Sequence, residues 1–71
     1  MNKNELDFAV FCVESVAELL NIDGAVVYTK LTDDSNLLYE YIVKHYDSLH
    51  TQDKEYITQD IIDAMCAEGL V

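Results

Sequence analysis

Residues 4–24 read "NELDFAVFCVESVAELLNIDG", and their reading decides the fold. Up to Asn21 the apolar positions recur with helical spacing. At about 100° per residue, Asp7, Glu14, Glu18 and Asn21 share one narrow face. Leu6, Phe8, Ala9, Val10, Cys12, Val13, Val16, Ala17, Leu19 and Leu20 fill an arc of roughly 200°. One-sided packing requires less than that, so the helix is either central to the fold or shared between the core and a partner. Phe11 falls beside the acidic face, as an exposed aromatic would. Phe8, Phe11, Val16 and Leu19 are therefore the candidate interface residues. The pattern breaks at "NIDG", residues 21–24. There Asn21 suits a helix C-terminus and Asp23 suits the N-cap of the next helix.

Working outward, a short second helix is expected over 24–31, with Ala25, Val27, Tyr28 and Leu31 facing inward. Its β-branched residues weaken it, and "AVVYT" also has strand propensity. A strand here would have no second strand to pair with, and a lone strand is not stable. "LTDDS" is a polar linker in which Asp34 or Ser35 caps a third helix over 35–47. Leu38, Ile42, His45 and Tyr46 share a face of that helix, joined by Leu49 if it continues. Thr51 to Asp53 restart the chain. A fourth helix spans 53–68, carrying an Ile57, Ile61, Ala64 and Met65 stripe, and Gly69 ends it. The expected fold is all-α: a compact bundle of about four helices, with residues 1–71 forming a single helical domain.

Composition narrows the function classes. A chain of 71 residues buries about 60% of its unfolded surface, and a core of that size supplies only ~3–5 kcal/mol. A partner or a second copy would add materially to that. Fourteen acidic residues face four lysines, with no arginine, for a net charge of −10. Nucleic-acid binding requires a basic surface to displace phosphate counterions, and anionic membranes attract basic segments. Neither is expected as a partner, and a charged protein partner should be basic. The strongest apolar run, Phe8 to Val13, is six residues long, against about 20 for a membrane-spanning helix. "MNKNELD" lacks the pattern of a signal peptide, so a cytoplasmic location with reduced Cys12 and Cys66 is expected. No CxxC spacing marks a metal or redox site.

The densest set of reactive side chains is "YDSLHTQDKEY", residues 46–56. Tyr46, Asp47, His50, Thr51, Gln52 and Tyr56 form the candidate functional cluster. In a catalytic reading His50 is a general base, oriented by Asp47 or Asp53, with Tyr46 or Tyr56 donating a proton. No Ser or Cys nucleophile stands beside it, and so small a chain has little material for a substrate pocket. In a corner reading the histidine bonds the last free carbonyls of one helix, and Thr51 or Asp53 caps the next. The corner reading accounts for the same residues with fewer assumptions. His45 and His50 would point about 140° apart on one helix, which is poor for a shared metal. No metal and no cofactor are expected. Helices two and three suggest a helix-turn-helix, but the would-be recognition helix "SNLLYEYIVKHYD" carries one lysine against two acids, which opposes a phosphate-lined groove.

Three segments, "ELDFAVFCVE", "DGAVVYTKL" and "YDSLHTQDKEYITQDI", together resemble the small bacterial family known as domain of unknown function 3791. The resemblance spans nearly the whole chain. Its most specific part is carried by Tyr46, Asp47, Leu49, His50, Thr51, Gln52, Glu55, Tyr56, Ile57, Asp60 and Ile61. The family often has a small residue where this chain has Asp53. What the resemblance implies is an accessory or antitoxin-like protein that accompanies an ADP-ribosyltransferase-like protein of toxin type. The leading expectation is thus a small acidic, non-enzymatic protein-interaction domain, binding another protein or itself. The alternative is a small enzyme or ligand-binding module centred on His50. A helix-turn-helix-like regulator ranks third.

Overall fold

The computed structural model describes residues 1–71, and every regular element in it is helical. The first helix, α1, spans Lys3–Leu20. Asn2 starts it with a reciprocal capping box. Its side chain accepts the Glu5 N–H at 2.7 Å, and its own N–H donates to Glu5 Oε1 at 2.9 Å. Two of the free amides at the helix start are thereby satisfied. Asn21 ends α1 in the left-handed region, at φ 56°, a conformation that Asn tolerates better than most residues. Asp23 then caps α2, Gly24–Thr32, by accepting the Ala25 N–H at 2.8 Å. The junction read in "NIDG" is present with both caps in place, and "AVVYT" is helical rather than extended. Ser35 ties the end of α2 to the next segment of chain: its hydroxyl donates to the Lys30 carbonyl at 2.8 Å and accepts the Leu37 N–H at 3.3 Å.

The third helix departs from expectation. In place of one α-helix over 35–47 there is a π-helical segment, Leu38–Val43, then a turn at Lys44 and His45, then a single α-turn, α3, Tyr46–Leu49. The Lys44 N–H reaches back five residues to the Tyr39 carbonyl at 3.2 Å. The reason lies in packing. Leu37, Leu38 and Ile42 are all buried, yet at α-helical pitch Leu37 and Ile42 would project about 140° apart. A wider turn that bonds residues five apart brings such positions over one another. The inward face expected for this helix is corrected accordingly: Leu38, Ile42 and Leu49 are buried, Tyr46 is half-buried, and His45 is exposed.

The last helix, α4, spans Lys54–Ala67, and Asp53 caps it by accepting the Tyr56 N–H at 2.8 Å. Ile57, Ile61 and Met65 fall on its buried stripe as expected, with Ile62 beside them. Thr58, not foreseen, is also buried and returns its hydroxyl to the Lys54 carbonyl at 2.7 Å. These elements close over one core. α1 contributes Ala9, Cys12, Val16 and Ala17 to it; α2 adds Val27 and Leu31, and the π segment adds Leu38 and Ile42. Burial pushes the Cys12 thiol up to about 12, so it behaves as a small apolar side chain. Lys54 at the start of α4 lies 3.5 Å from Glu18 near the end of α1. No helix is long and apolar enough to cross a membrane.

The wide apolar arc of α1 is only partly covered. Its centre is buried, while Leu6 is 50%, Val10 47% and Leu19 60% exposed. Leu6 and Val10 sit at the margin of the arc, next to the acidic face. Leu19 lies within the arc but in the last turn, where it lines a crevice between α1 and α4 and stays mostly exposed.

Candidate functional site

The residues of the "YDSLHTQDKEY" segment do come together, at the corner between α3 and α4, and each of the polar ones with a bond has a local backbone partner. His50 Nδ1 lies 2.6 Å from the Tyr46 carbonyl, and His45 Nδ1 lies 2.8 Å from the Tyr41 carbonyl. A carbonyl only accepts, so in both rings Nδ1 carries a proton and donates it. The His50 ring stacks flat on Tyr46, with centroids 4.3 Å apart and planes 3° from parallel. Thr51 donates its hydroxyl to the Ser48 carbonyl at 2.8 Å, and the Gln52 N–H bonds the Leu49 carbonyl at 3.0 Å. Asp53 is occupied as the α4 cap. Tyr56 is exposed, and its hydroxyl does not approach either imidazole within bonding distance.

A catalytic dyad needs a carboxylate on the histidine and a cavity beside it. No carboxylate bonds either ring, and neither His45 nor His50 lines a cavity of the fold. Asp47, foreseen as an orienting group, is exposed and makes no bond to His50. No three His, Cys, Asp or Glu side chains converge in ligating geometry. The hydrogen bonds that these residues make terminate one helix and begin another.

A second polar contact escaped sequence reasoning. The Tyr41 hydroxyl, from the π segment, donates to Asp60 Oδ2 of α4 at 2.5 Å. The hydrogen bond to Asp60, followed by burial, pushes the Tyr41 phenol up to about 12. The two residues are nineteen positions apart, and neither spacing nor helical phase marks them as partners.

The candidate interface residues divide. Val16 is fully buried in the core and is removed from the set. Phe8 is half-buried, edge-on to Tyr46 with centroids 5.4 Å apart, and so pins α1 against α3. Phe11 and Leu19 are exposed, as an interface would need. Sequence reasoning missed a larger feature on the other margin of α1. There Met1, Leu6, Val10 and Val13 from the α1 end, with Gly24 and Tyr28 of α2, line an apolar groove of about 280 Å³. Tyr28, expected to face inward, is 51% exposed along it. The sequence showed only that the arc was wide; it did not mark Leu6 and Val10 as the part left uncovered. A second, polar crevice of about 430 Å³ lies between α1 and α4, lined by residues that include Ser15, Glu18, Lys54 and Thr58. Its one lysine is already paired with Glu18.

No curated protein and no solved structure matches the chain. A family model does, over residues 7–68, and its span takes in α1 from its second turn, the whole π segment and the histidine corner. The chain therefore belongs to the family described as Protein of unknown function (DUF3791).

Proposed function

We propose that this protein is a small acidic interaction module that binds another protein and performs no chemistry of its own. The observation that carries this reading is the exposed side of α1. Leu6, Val10, Phe11 and Leu19 stand in solvent on both margins of a face bearing Asp7, Glu14 and Glu18. A core this small gains from every apolar side chain it covers, so four large ones left outside on one helix favour a surface that is covered by something else. The side chains suited to catalysis, by contrast, are engaged in ending and starting helices. The net charge of −10 favours a basic partner over a second copy, because like charges brought together oppose association. The family resemblance makes an ADP-ribosyltransferase-like protein of toxin type the first partner to try.

The test is copurification of the tagged full chain with that protein, combined with sedimentation of the chain alone over a range of concentrations. A retained one-to-one complex and a monomeric free chain are expected. A monomer that retains neither this protein nor any other at stoichiometric level would sink the reading.

A further inference from the structure

The groove between α1 and the start of α2 has features that specify its occupant. It is open and apolar, and its volume of about 280 Å³ lies at the small end of the ~300–1,000 Å³ range of sites for drug-sized molecules. That space suits one or two side chains presented by a protein surface. Glu14 is the one charged side chain among its lining residues, which also include Met1 with its α-amino group. The ion pairs of the fold are Lys3 with Asp7 and Lys54 with Glu18, so the Glu14 carboxylate has no cation of its own. Lys3, two residues from Met1, pairs with Asp7 at 2.8 Å. The floor is apolar, Glu14 stands in its wall on a chain of net charge −10, and Tyr28 supplies the kind of ring that interfaces favour.

We propose that this groove docks an apolar side chain carried next to a lysine or arginine on a basic segment of another protein. The assignment rests on the interaction reading above. A second copy is disfavoured because it would bring its own charge of −10 to the same groove. An anionic lipid surface is repelled for the same reason.

The test uses the full chain and three synthetic amphipathic peptides of equal length: leucine with lysine, leucine with glutamate, and serine with lysine. Binding is located by NMR shifts and quantified by calorimetry. The leucine–lysine peptide should shift the Leu6, Val10 and Val13 methyls and the Tyr28 ring, and the other two should not. Val10→Glu, at an exposed position, should leave the melt intact and weaken binding by ~10-fold or more, since it places a charge against an apolar side chain. Glu14→Gln should weaken it by roughly 2–5-fold and flatten its salt dependence. Glu55→Gln, an equal charge change in the α1–α4 crevice, should do neither. Equal binding of the serine–lysine peptide would overturn the proposal, because charge alone would then suffice. So would a dimer of the free chain that Val10→Glu dissolves. Shifts confined to Phe11 and Leu19 would overturn the groove but leave the interaction module standing. A folded chain that binds none of the peptides and retains no partner would remove both.

Discussion

Replacing Tyr41 with Phe removes one hydroxyl and keeps the ring, including its tilted contact with His45 at 5.1 Å. The variant loses the 2.5 Å hydrogen bond to the Asp60 carboxylate, which ties the π segment to α4. Hydrogen bonds to a charged group contribute ~1.5–3 kcal/mol. Both partners are only partly buried, so water rehydrates Asp60 in the variant and the low end applies, about 1.5 kcal/mol. In a domain of this size each kcal/mol moves the melting temperature by about 4–8 °C, so a fall of roughly 6–12 °C is expected. The pH dependence gives an independent check. The folded phenol is raised from 10.0 to about 12, with the hydrogen bond to Asp60 as the main cause. The unfolded tyrosine ionises first, so the bond's contribution is whole below pH 10 and is lost as the pH rises through 12. Melts of parent and variant by far-ultraviolet circular dichroism should therefore differ fully at neutral pH and converge between those two values. A variant that melts within ~2 °C of the parent at neutral pH, or a difference that stays constant to the alkaline limit, would refute the reasoning.

Other expectations concern single residues. Ile61 is 1% exposed, so Ile61→Ala should cost ~2–5 kcal/mol and leave most of the chain unfolded, while Ile61→Val should cost only ~0.5–1.5 kcal/mol, read from urea titrations. Asn2→Ala removes one half of the capping box and should lower stability by about 1 kcal/mol, with faster amide exchange confined to the first turn of α1. Gly24 has an ordinary helical backbone, and an added Cβ would stand 4.0 Å from Val13 Cγ1. Gly24→Ala should accordingly raise stability by ~0.4–1 kcal/mol, checked by the same titration.

How much of this was legible in the sequence depends on the range of the interaction concerned. α1, the Asn21 and Asp23 junction and the Asp53 cap are written in residues within four positions of one another, where helical spacing and side-chain reach decide the outcome. The capping box at Asn2 and Glu5 is equally local, but the apolar rhythm that marks the helix begins only at Leu6 and does not announce it. The π segment was not legible. It arises from the demand that Leu37, Leu38 and Ile42 all meet a core whose shape α1, α2 and α4 set. The Tyr41–Asp60 bond is hidden for the same reason, since it exists only once α4 has docked. At the candidate site, the His50 bond to a helix-end carbonyl and the Asp53 cap were readable because their partners are local, whereas Thr51, offered as an alternative cap for α4, instead donates to the Ser48 carbonyl. The groove was not, because a helical wheel gives the width of an apolar arc but not which part of it neighbouring helices cover.

The most direct measurement sets the histidine corner against the exposed side of α1. Full-length His50→Ala and the double variant Val10→Glu with Leu19→Glu would each be melted and then passed over the copurified partner. His50→Ala removes a 2.6 Å hydrogen bond and a stacked ring, so its melt should fall by several degrees, at roughly 1 kcal/mol, with the partner still retained. The α1 double variant should melt close to the parent and release the partner. An unchanged melt with lost binding in His50→Ala, alongside full retention by the α1 variant, would contradict the assignment of the corner to architecture and of α1 to recognition.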